Sequence, residues 1–311
     1  MKSLPSLRII FMGTPEFAVA SLDALVQAGA NIVAVVTAPD KPAGRGMQLT
    51  QSAVKKYAVE KGIEVLQPEK LRDPVFIDRL KTLKADVQVV VAFRMLPEMV
   101  WNMPPMGSVN LHGSLLPQYR GAAPINWAVI NGEKETGVTT FRLKHEIDTG
   151  DILLQDSFPI GENETAGEVH DRMKEIGARL LVRTIEGLAD DTLKEKPQDS
   201  FPVSSLKHAP KIFTDTCRIN FQQPTEMVHN LIRGLSPFPG AFTTLNGKTL
   251  KIYRTEKEIR LPQHTPGEYV SDGKNEFKFA CSDGYVKVKE LQLEGKKRMG
   301  VEEFLRGFRA I

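Results

Sequence analysis

Three polar side chains have the types and spacing needed for acyl-transfer chemistry. Asn110 and His112 stand two residues apart in GSVNLHGSLLP, and Asp148 lies further along in IDTGD. The residues around the pair predict a strand, on which side chains at i and i+2 point to the same face. No Ser or Cys nucleophile accompanies them in an activating setting, which favours direct attack by an amine on a bound carbonyl carbon. Asn110 and His112 would then stabilise the oxyanion, while Asp148 would keep the imidazole protonated and accept the proton of the amine.

A structural interpretation fits the same pair when it is considered alone. Buried polar side chains are normally hydrogen-bonded, so Asn110 and His112 can simply satisfy each other in a buried turn. The spacing does not decide between the two interpretations, and the surrounding elements and motifs have to do so.

The elements that must position these residues are those of an α/β domain. Four short apolar runs predict strands: Arg8–Met12, Asn31–Thr37, Ile63–Leu66 and Asp86–Ala92. Helical patterns separate them, which indicates a Rossmann-like, mostly parallel sheet covered on both faces. Pro117 cannot extend a central ladder, so the polar pair is expected near the carboxyl end of a strand, where such sheets bind ligands. The first turn, GTPEFA, lacks the later glycines of a dinucleotide-binding loop, which argues against a nicotinamide enzyme.

The final hundred residues follow a different pattern. Short β-rich runs separated by Gly and Pro turns predict a small β-barrel, with the OB-fold as one candidate. We therefore predict a catalytic domain over residues 1–190, a linker over 191–210 and an OB-like domain over 211–311. The apolar stripe of the helix predicted over 164–188 is expected to pack in the core.

Composition and charge exclude several classes of protein. The chain has 311 residues, of which 41% are hydrophobic and 25% charged, so it is neither disordered nor fibrous. Its net charge is only +3, but residues 207–311 carry 18 Lys and Arg against 12 Asp and Glu. A basic final third predicts contact with a polyanion, although a solvated lysine-rich surface is an equal alternative. The two cysteines predict reduced thiols, and the histidine spacing predicts no metal site. The absence of a leader or a long apolar run indicates a soluble, cytoplasmic protein.

The motifs together resemble the 10-formyltetrahydrofolate-dependent formyltransferases. The resemblance rests on GSVNLHGSLLPQYRGAAPI followed by IDTGD, and it extends over essentially the whole chain. FMGTPEFAVASLDAL and PDKPAGRG narrow it to members that formylate the methionyl group on initiator tRNA. It implies that Asn110, His112 and Asp148 are catalytic, that 10-formyltetrahydrofolate is the co-substrate, and that the protein is a monomer acting in translation initiation.

Two segments are assigned to the folate donor by this resemblance. They are Ser114, Leu115, Leu116 and Pro117 in the SLLP turn, and Phe93, Arg94, Met95 and Leu96 in an earlier loop. The earlier loop departs from the usual pattern, because it is one residue shorter and contains an arginine. Arg94 either meets the ligand or is a solvated loop charge.

Other residues are assigned to tRNA. The loop Asp40–Thr50 exceeds the usual strand-to-helix length and predicts a mobile connection that presents Lys41 and Arg45, with Lys55 and Lys56 as additional cations. In the C-terminal domain the expected phosphate contacts are Lys248, Lys251, Lys296, Lys297 and Arg298. Phe238 and Phe242 either stack bases or pack in the barrel, and packing is the prediction.

Other functions share the same three side chains. The acceptor can be an amino sugar nucleotide, a purine precursor or water, and water would make the protein a formyltetrahydrofolate hydrolase. None of these acceptors needs the long basic loop or the basic barrel. A non-enzymatic RNA-binding protein is the remaining alternative, and intact Asn110, His112 and Asp148 argue against it.

Overall fold

A computed structural model describes residues 3–43, 48–198 and 205–308, which form two compact units. Unit 1 takes the described residues of Met1–Arg120, Gly137–Ser157 and Arg172–Lys207. Unit 2 takes those of Gly121–Thr136, Phe158–Asp171 and His208–Ile311. The domain boundaries drawn above at 190 and 211 stay predictions.

The described residues contain seventeen strands and eight α-helices, which alternate through the first half of the chain. The strands are β1 (Arg8–Gly13), β2 (Asn31–Val36), β3 (Lys41–Ala43), β4 (Gln48–Thr50), β5 (Val65–Leu66), β6 (Val87–Val91), β7 (Ser108–His112), β8 (Arg120–Gly121), β9 (Glu135–Arg142), β10 (Ile152–Pro159), β11 (His208–Ala209), β12 (Ala241–Leu245), β13 (Lys248–Glu258), β14 (Tyr269–Ser271), β15 (Phe277–Ala280), β16 (Tyr285–Leu293) and β17 (Met299–Gly300). The α-helices are α1 (Glu16–Gln27), α2 (Ala53–Glu60), α3 (Pro74–Thr82), α4 (Glu98–Trp101), α5 (Pro124–Ile130), α6 (Ala166–Ala189), α7 (Thr225–Gly234) and α8 (Val301–Gly307).

Unit 1 is built on a seven-stranded sheet in the order β10-β9-β7-β6-β1-β2-β5. Strands β1, β2, β5, β6 and β7 run parallel, and β9 pairs antiparallel with β7. The chain steps outward from β1 to β2 and β5, then returns to place β6 on the other side of β1. This reversal is a topological switch point, and open α/β sheets bind ligands at the carboxyl ends of the strands that flank such a point.

The local sequence accounts for the form of these elements. Strands β1 and β6 are almost entirely buried, as their continuous apolar runs predict for a sheet covered on both faces. Helix α3 begins where Asp73 accepts hydrogen bonds from the N–H groups of Val75 and Phe76, and Pro74 occupies the first helical position. The apolar stripe of α6 is largely buried, including Val169, Met173 and Leu180.

Unit 2 contains a curled antiparallel sheet in the order β12-β13-β16-β15-β14, with β17 beside β16. Its core joins the inner face of the sheet to α7 and α8 through fully buried residues such as Ile232, Ile252, Phe277 and Leu291. The predicted fold class, a Rossmann-like sheet domain followed by a small barrel-like domain, is confirmed. Across the described residues, none of the helices has the length and apolar character that a bilayer span requires.

Candidate active site

Asn110 and His112 lie at the carboxyl end of β7, beside the switch point. In the sheet, Asn110 faces Val90 of β6 on one side and Phe141 of β9 on the other. Because the two residues are i and i+2 on one strand, their side chains share a face of the sheet. The prediction that both residues lie on a strand is confirmed.

His112 is held by the segment that follows its own strand. Its Nε2 lies 2.9 Å from the carbonyl oxygen of Tyr119, and the ring meets Phe141 edge-on with 6.5 Å between centroids. The side chain of His112 is only 8% exposed. A carbonyl oxygen can only accept, so Nε2 must carry the proton of the neutral ring, and Nδ1 faces the candidate site.

Asp148 approaches His112 from the turn between β9 and β10. Its Oδ2 lies 3.9 Å from the His112 Nδ1, which is within ion-pair range and longer than a hydrogen bond. The hydrogen bond that orients the ring is therefore the one that Nε2 donates to the carbonyl oxygen of Tyr119. Two atoms 3.9 Å apart can both reach a ligand atom at about 2.8 Å, so the pair can address one reacting group.

The turn that carries Asp148 needs both an unusual backbone and a glycine. Asp148 has φ +55°, in the left-handed region that Asp tolerates better than most residues. A Cβ on Gly150 would overlap the carbonyl oxygen of Arg142. Gly150 thus allows the turn to press against β9, which brings Asp148 to the edge where β7 ends.

Two polar side chains near this turn, Gln198 and Arg120, were not predicted from the sequence. Gln198 donates to the carbonyl oxygens of Asp148 at 3.1 Å and Gly150 at 2.6 Å, and its own oxygen accepts from Arg120. Gln198 falls in the segment predicted as a linker, where no sequence signal marks it. Arg120 stands inside the QYRGAAP motif, and its place in the motif that follows the Asn110–His112 pair was the available signal.

The SLLP turn forms a wall of the same edge through its backbone. Ser114 is fully buried and donates to the carbonyl oxygen of Gln118, so its hydroxyl stabilises the turn. Thr139 and Gln155 bind the backbone on either side, and Leu116 packs against Phe141. The surface that this turn can offer to the predicted folate donor therefore consists of apolar side chains and backbone. The Ser114 hydroxyl is already used within the turn.

The loop after β6 presents apolar side chains at the neighbouring strand end. Phe93 is half-buried and Leu96 buried, both against the core, while Met95 is 74% exposed. Arg94 is exposed, and both alternatives for it stay open. Its guanidinium donates to the carbonyl oxygens of Pro68 and Glu69, which ties this loop to the segment after β5.

The predicted tRNA loop, Asp40–Thr50, contains two paired strands. Strands β3 and β4 form a short hairpin in which Lys41 faces Thr50, and Lys41 is exposed. Arg45 lies outside the described residues. Lys55, proposed as an additional cation, pairs with Asp40 at 2.6 Å, and its side chain is 17% exposed. Lys55 and Gln67 together lower the pKa of Asp40.

The five predicted basic residues of unit 2 are not equivalent. Lys248 and Lys296 are exposed, and Lys251 is half-buried and donates to the carbonyl oxygen of Pro239. Lys297 pairs with Glu303, while Arg298 binds Glu290 through two nitrogens. These ion pairs offset part of the positive charge that the sequence suggested.

Phe238 and Phe242 differ in burial. Phe242 packs against the core of unit 2 and lies 5.2 Å beneath the guanidinium of Arg218, so packing was the correct prediction for it. Phe238 is 81% exposed, so the prediction that it packs in the barrel is wrong. The alternative of base stacking stays open for Phe238 alone.

Comparison with known proteins identifies the family of this chain. A model described as formyl transferase matches residues 7–185, and one described as formyl transferase, C-terminal domain, matches residues 211–309. A methionyl-tRNA formyltransferase of Bacteroides fragilis is 52% identical over 308 residues, covering 97% of this chain and 95% of that protein. The protein of the same name from Parabacteroides distasonis is 53% identical over 313 residues, covering 98% and 97%.

Solved structures share the fold at lower identity. A sugar 3N-formyl transferase crystallised with dTDP and 5-N-formyl-THF superposes with a TM-score of 0.68 at 20% identity, covering 94% of this chain and 99% of that one. An N-formyltransferase from Helicobacter canadensis in complex with folinic acid and dTDP-3-aminofucose gives 0.68 at 21% identity, covering 94% and 100%. With two matched domains and relatives at half identity along its length, this chain belongs to the formyl transferase family.

Proposed function

We propose that this protein transfers the formyl group of 10-formyltetrahydrofolate to the α-amino group of methionyl-initiator tRNA, in the cytoplasm, for translation initiation. The observation that carries the proposal is the 3.9 Å approach of His112 Nδ1 to Asp148 Oδ2 at the carboxyl end of β7. Relatives at about half identity over nearly the whole chain bear the name of that activity. We also propose that the chain acts as a monomer.

The catalytic roles follow from what each side chain can donate or accept. The amide of Asn110 and the protonated Nδ1 of His112 donate to the formyl oxygen as negative charge develops on it. In enzymes of known mechanism, each such donor lowers the activation barrier by about 3 kcal/mol. Nε2 remains bonded to Tyr119, so the ring cannot turn away from the site.

Asp148 serves the attacking amine. Its carboxylate accepts a hydrogen bond from the amine, orients it and takes up its proton, directly or through water. A free α-amino group has a pKa of about 8, so a useful neutral fraction exists at physiological pH. The new bond joins the amino nitrogen to the formyl carbon. The bond from that carbon to the donor nitrogen breaks, and a proton returns to the donor, which leaves as tetrahydrofolate.

The folate donor is assigned to two apolar segments beside Asn110, His112 and Asp148. They are the loop after β6 and the turn after β7. Met95 is exposed after β6, and the backbone of Leu115, Leu116 and Pro117 follows β7, which suits a flat ring system with polar edges. Leu96 and Phe93 support the first segment from the core. When bound, the donor supplies the activated formyl carbon.

The tRNA is assigned to basic residues of both units. Lys41 of the β3–β4 hairpin and Arg45, together with Lys248, Lys251, Lys296, Lys297 and Arg298, are proposed to contact its phosphates. Such contacts give affinity that falls with salt and carry little sequence information. Recognition of the initiator therefore needs contacts beyond these charges.

The deciding experiment presents competing acceptors to one preparation. Purified protein is incubated with 10-formyltetrahydrofolate and, in parallel, methionyl-initiator tRNA, elongator methionyl-tRNA, an amino sugar nucleotide or buffer alone. We expect formyl-methionine only on the initiator tRNA. Because the structures at about 20% identity include sugar N-formyltransferases, efficient formylation of the sugar nucleotide would overturn the proposed acceptor while keeping the chemistry.

A further inference from the structure

Residues 195–198 run directly against the turn that carries Asp148. Lys196 exchanges two backbone hydrogen bonds of 2.9 Å with Ile152, the first residue of β10. Glu195 pairs with Arg142 at the end of β9 at 2.7 Å. This docking places Gln198 beside the turn, although 50 residues of chain separate it from Asp148.

The side-chain amide of Gln198 is fully used in its hydrogen bonds. Its nitrogen donates to two carbonyl oxygens of the turn, those of Asp148 and Gly150. Its oxygen accepts from Nε and Nη2 of Arg120, at 3.1 and 2.6 Å. The side chain is only 3% exposed. Because carbonyls only accept and a guanidinium only donates, the orientation of the amide is fixed by its partners.

No other side chain of similar size can replace this amide. A glutamate keeps the acceptor for Arg120 but has no donor for the two carbonyls. A leucine keeps the volume but removes both the donor to the turn carbonyls and the acceptor for Arg120. Asp148 also sits in left-handed backbone at φ +55°, which persists only where surrounding contacts impose it.

The partner of Gln198 belongs to the segment that orients His112. Tyr119 accepts the Nε2 hydrogen of His112, and Arg120 is the next residue. One chain of contacts therefore leads from His112 through Tyr119 and Arg120 to Gln198. A second step leads from Gln198 to the backbone of Asp148. The path closes across the 3.9 Å gap between the imidazole and the carboxylate.

We propose that Gln198 is a positioning residue for formyl transfer, which sets the separation between His112 and Asp148 by bridging Arg120 to the Asp148 turn. The proposal rests on the function proposed above and names a part of that site that lies far from it in sequence. Gln198 touches neither substrate. Its contribution is expected in turnover, because displacing a catalytic group by about 1 Å costs about a hundredfold in rate.

The test uses Gln198→Leu and the isosteric Gln198→Glu in the full-length protein. We expect kcat to fall about tenfold to a hundredfold in both variants, while KM for folate and for tRNA changes less than threefold. The pH profile of kcat is expected to shift, because the interaction between the imidazole and the carboxylate depends on their distance. Lys194→Gln is the matched control; it changes an exposed side chain of the same segment, leaves the amide contacts in place and should keep wild-type kcat.

A double-mutant cycle with Arg120→Ala tests the bridge itself. If the two residues act as one unit, Arg120→Ala combined with Gln198→Leu lowers kcat no further than the larger single effect. Wild-type kcat and an unshifted pH profile in folded Gln198→Glu would overturn the proposal, as would a lower melting temperature with unchanged turnover. Should Gln198→Leu not fold, Gln198→Glu decides alone. Failure of the wild-type protein to formylate any aminoacyl-tRNA would instead overturn the proposed function.

Discussion

The Nε2 of His112 lies 2.9 Å from the carbonyl oxygen of Tyr119, and this contact fixes the chemistry of the ring. Nε2 carries a proton in both charge states, so every change of protonation takes place at Nδ1, on the side of Asp148. The ring can therefore donate from Nδ1 when charged and accept there when neutral, without rotating.

Replacing His112 tests this assignment directly. His112→Ala is expected to lower kcat about a hundredfold to a thousandfold, as for loss of one oxyanion donor, with little change in circular dichroism. His170→Ala is the matched control, because that ring is only partly buried and pairs with its own neighbour Asp171. Turnover of His112→Ala within threefold of wild type would contradict the role.

Gly150→Ala tests the steric requirement of the Asp148 turn. The new Cβ would overlap the carbonyl oxygen of Arg142, so the turn must move away from β9. We expect the free energy of unfolding to fall by about 1–3 kcal/mol. We also expect kcat to fall, by a larger fraction than the free energy of unfolding does. Gly307→Ala is the control, since nothing lies within 4 Å of its Cβ position. Equal effects of the two substitutions on urea unfolding and on kcat would rule out the steric argument.

Arg94 is expected to act on folate binding through the loop that it anchors. Arg94→Ala removes the donors to Pro68 and Glu69 and should raise KM for the folate donor about fivefold to twentyfold, given about 1–2 kcal/mol for such contacts. kcat is expected to stay within twofold. Arg79→Ala, which removes an exposed ion pair with Glu64, is the control. A fall in kcat without any change in KM would place Arg94 at the reacting atoms instead.

The stability of the protein should depend on His229 at mildly acidic pH. Burial lowers the pKa of His229 from 6.5 to about 4, and the ring is 1% exposed with Nδ1 2.9 Å from the Thr255 hydroxyl. Between these two values the unfolded chain binds a proton that the folded protein does not, so stability falls as the pH falls through this window.

We expect His229 to account for a loss of about 2 kcal/mol between pH 7.5 and pH 5. Urea unfolding of wild type and of His229→Gln at both pH values measures it, because the variant lacks this proton uptake. His145→Gln, an exposed position, is the control. Parallel pH dependences of wild type and His229→Gln would disprove the linkage.

Two exposed lysines of unit 2 should contribute to tRNA affinity through charge alone. For Lys248→Gln and Lys296→Gln we expect the plot of log association constant against log salt to become less steep. Its negative slope should shrink in magnitude by roughly 0.7–0.9 for each phosphate that is no longer neutralised. Lys289→Gln serves as the control, because its ammonium group pairs with Glu256 at 2.9 Å. Filter binding at several salt concentrations measures the slopes, and slopes equal to wild type in both variants would exclude these lysines from the tRNA surface.

The sequence by itself determined the strands that carry the site. Near-continuous apolar runs predicted β1, β2 and β6, because a strand buried on both faces has no polar face to reveal a period. Asn110 and His112 were placed together because the side-chain period of a strand is two residues. The short strands β3, β4 and β12 escaped prediction, since runs of three to five residues with mixed polarity carry too weak a pattern.

Tertiary structure alone decided which groups those side chains meet. The carbonyl of Tyr119, the amide of Gln198 and the pairing of Lys55 with Asp40 are contacts whose partners are set by turns and by sheet order. Local sequence encodes backbone preference and burial. A hydrogen bond between segments far apart in the chain forms only when its two atoms are placed to within a few tenths of an ångström. For that reason the 3.9 Å gap between His112 and Asp148, and the bridge that holds it, follow from the folded chain rather than from any motif.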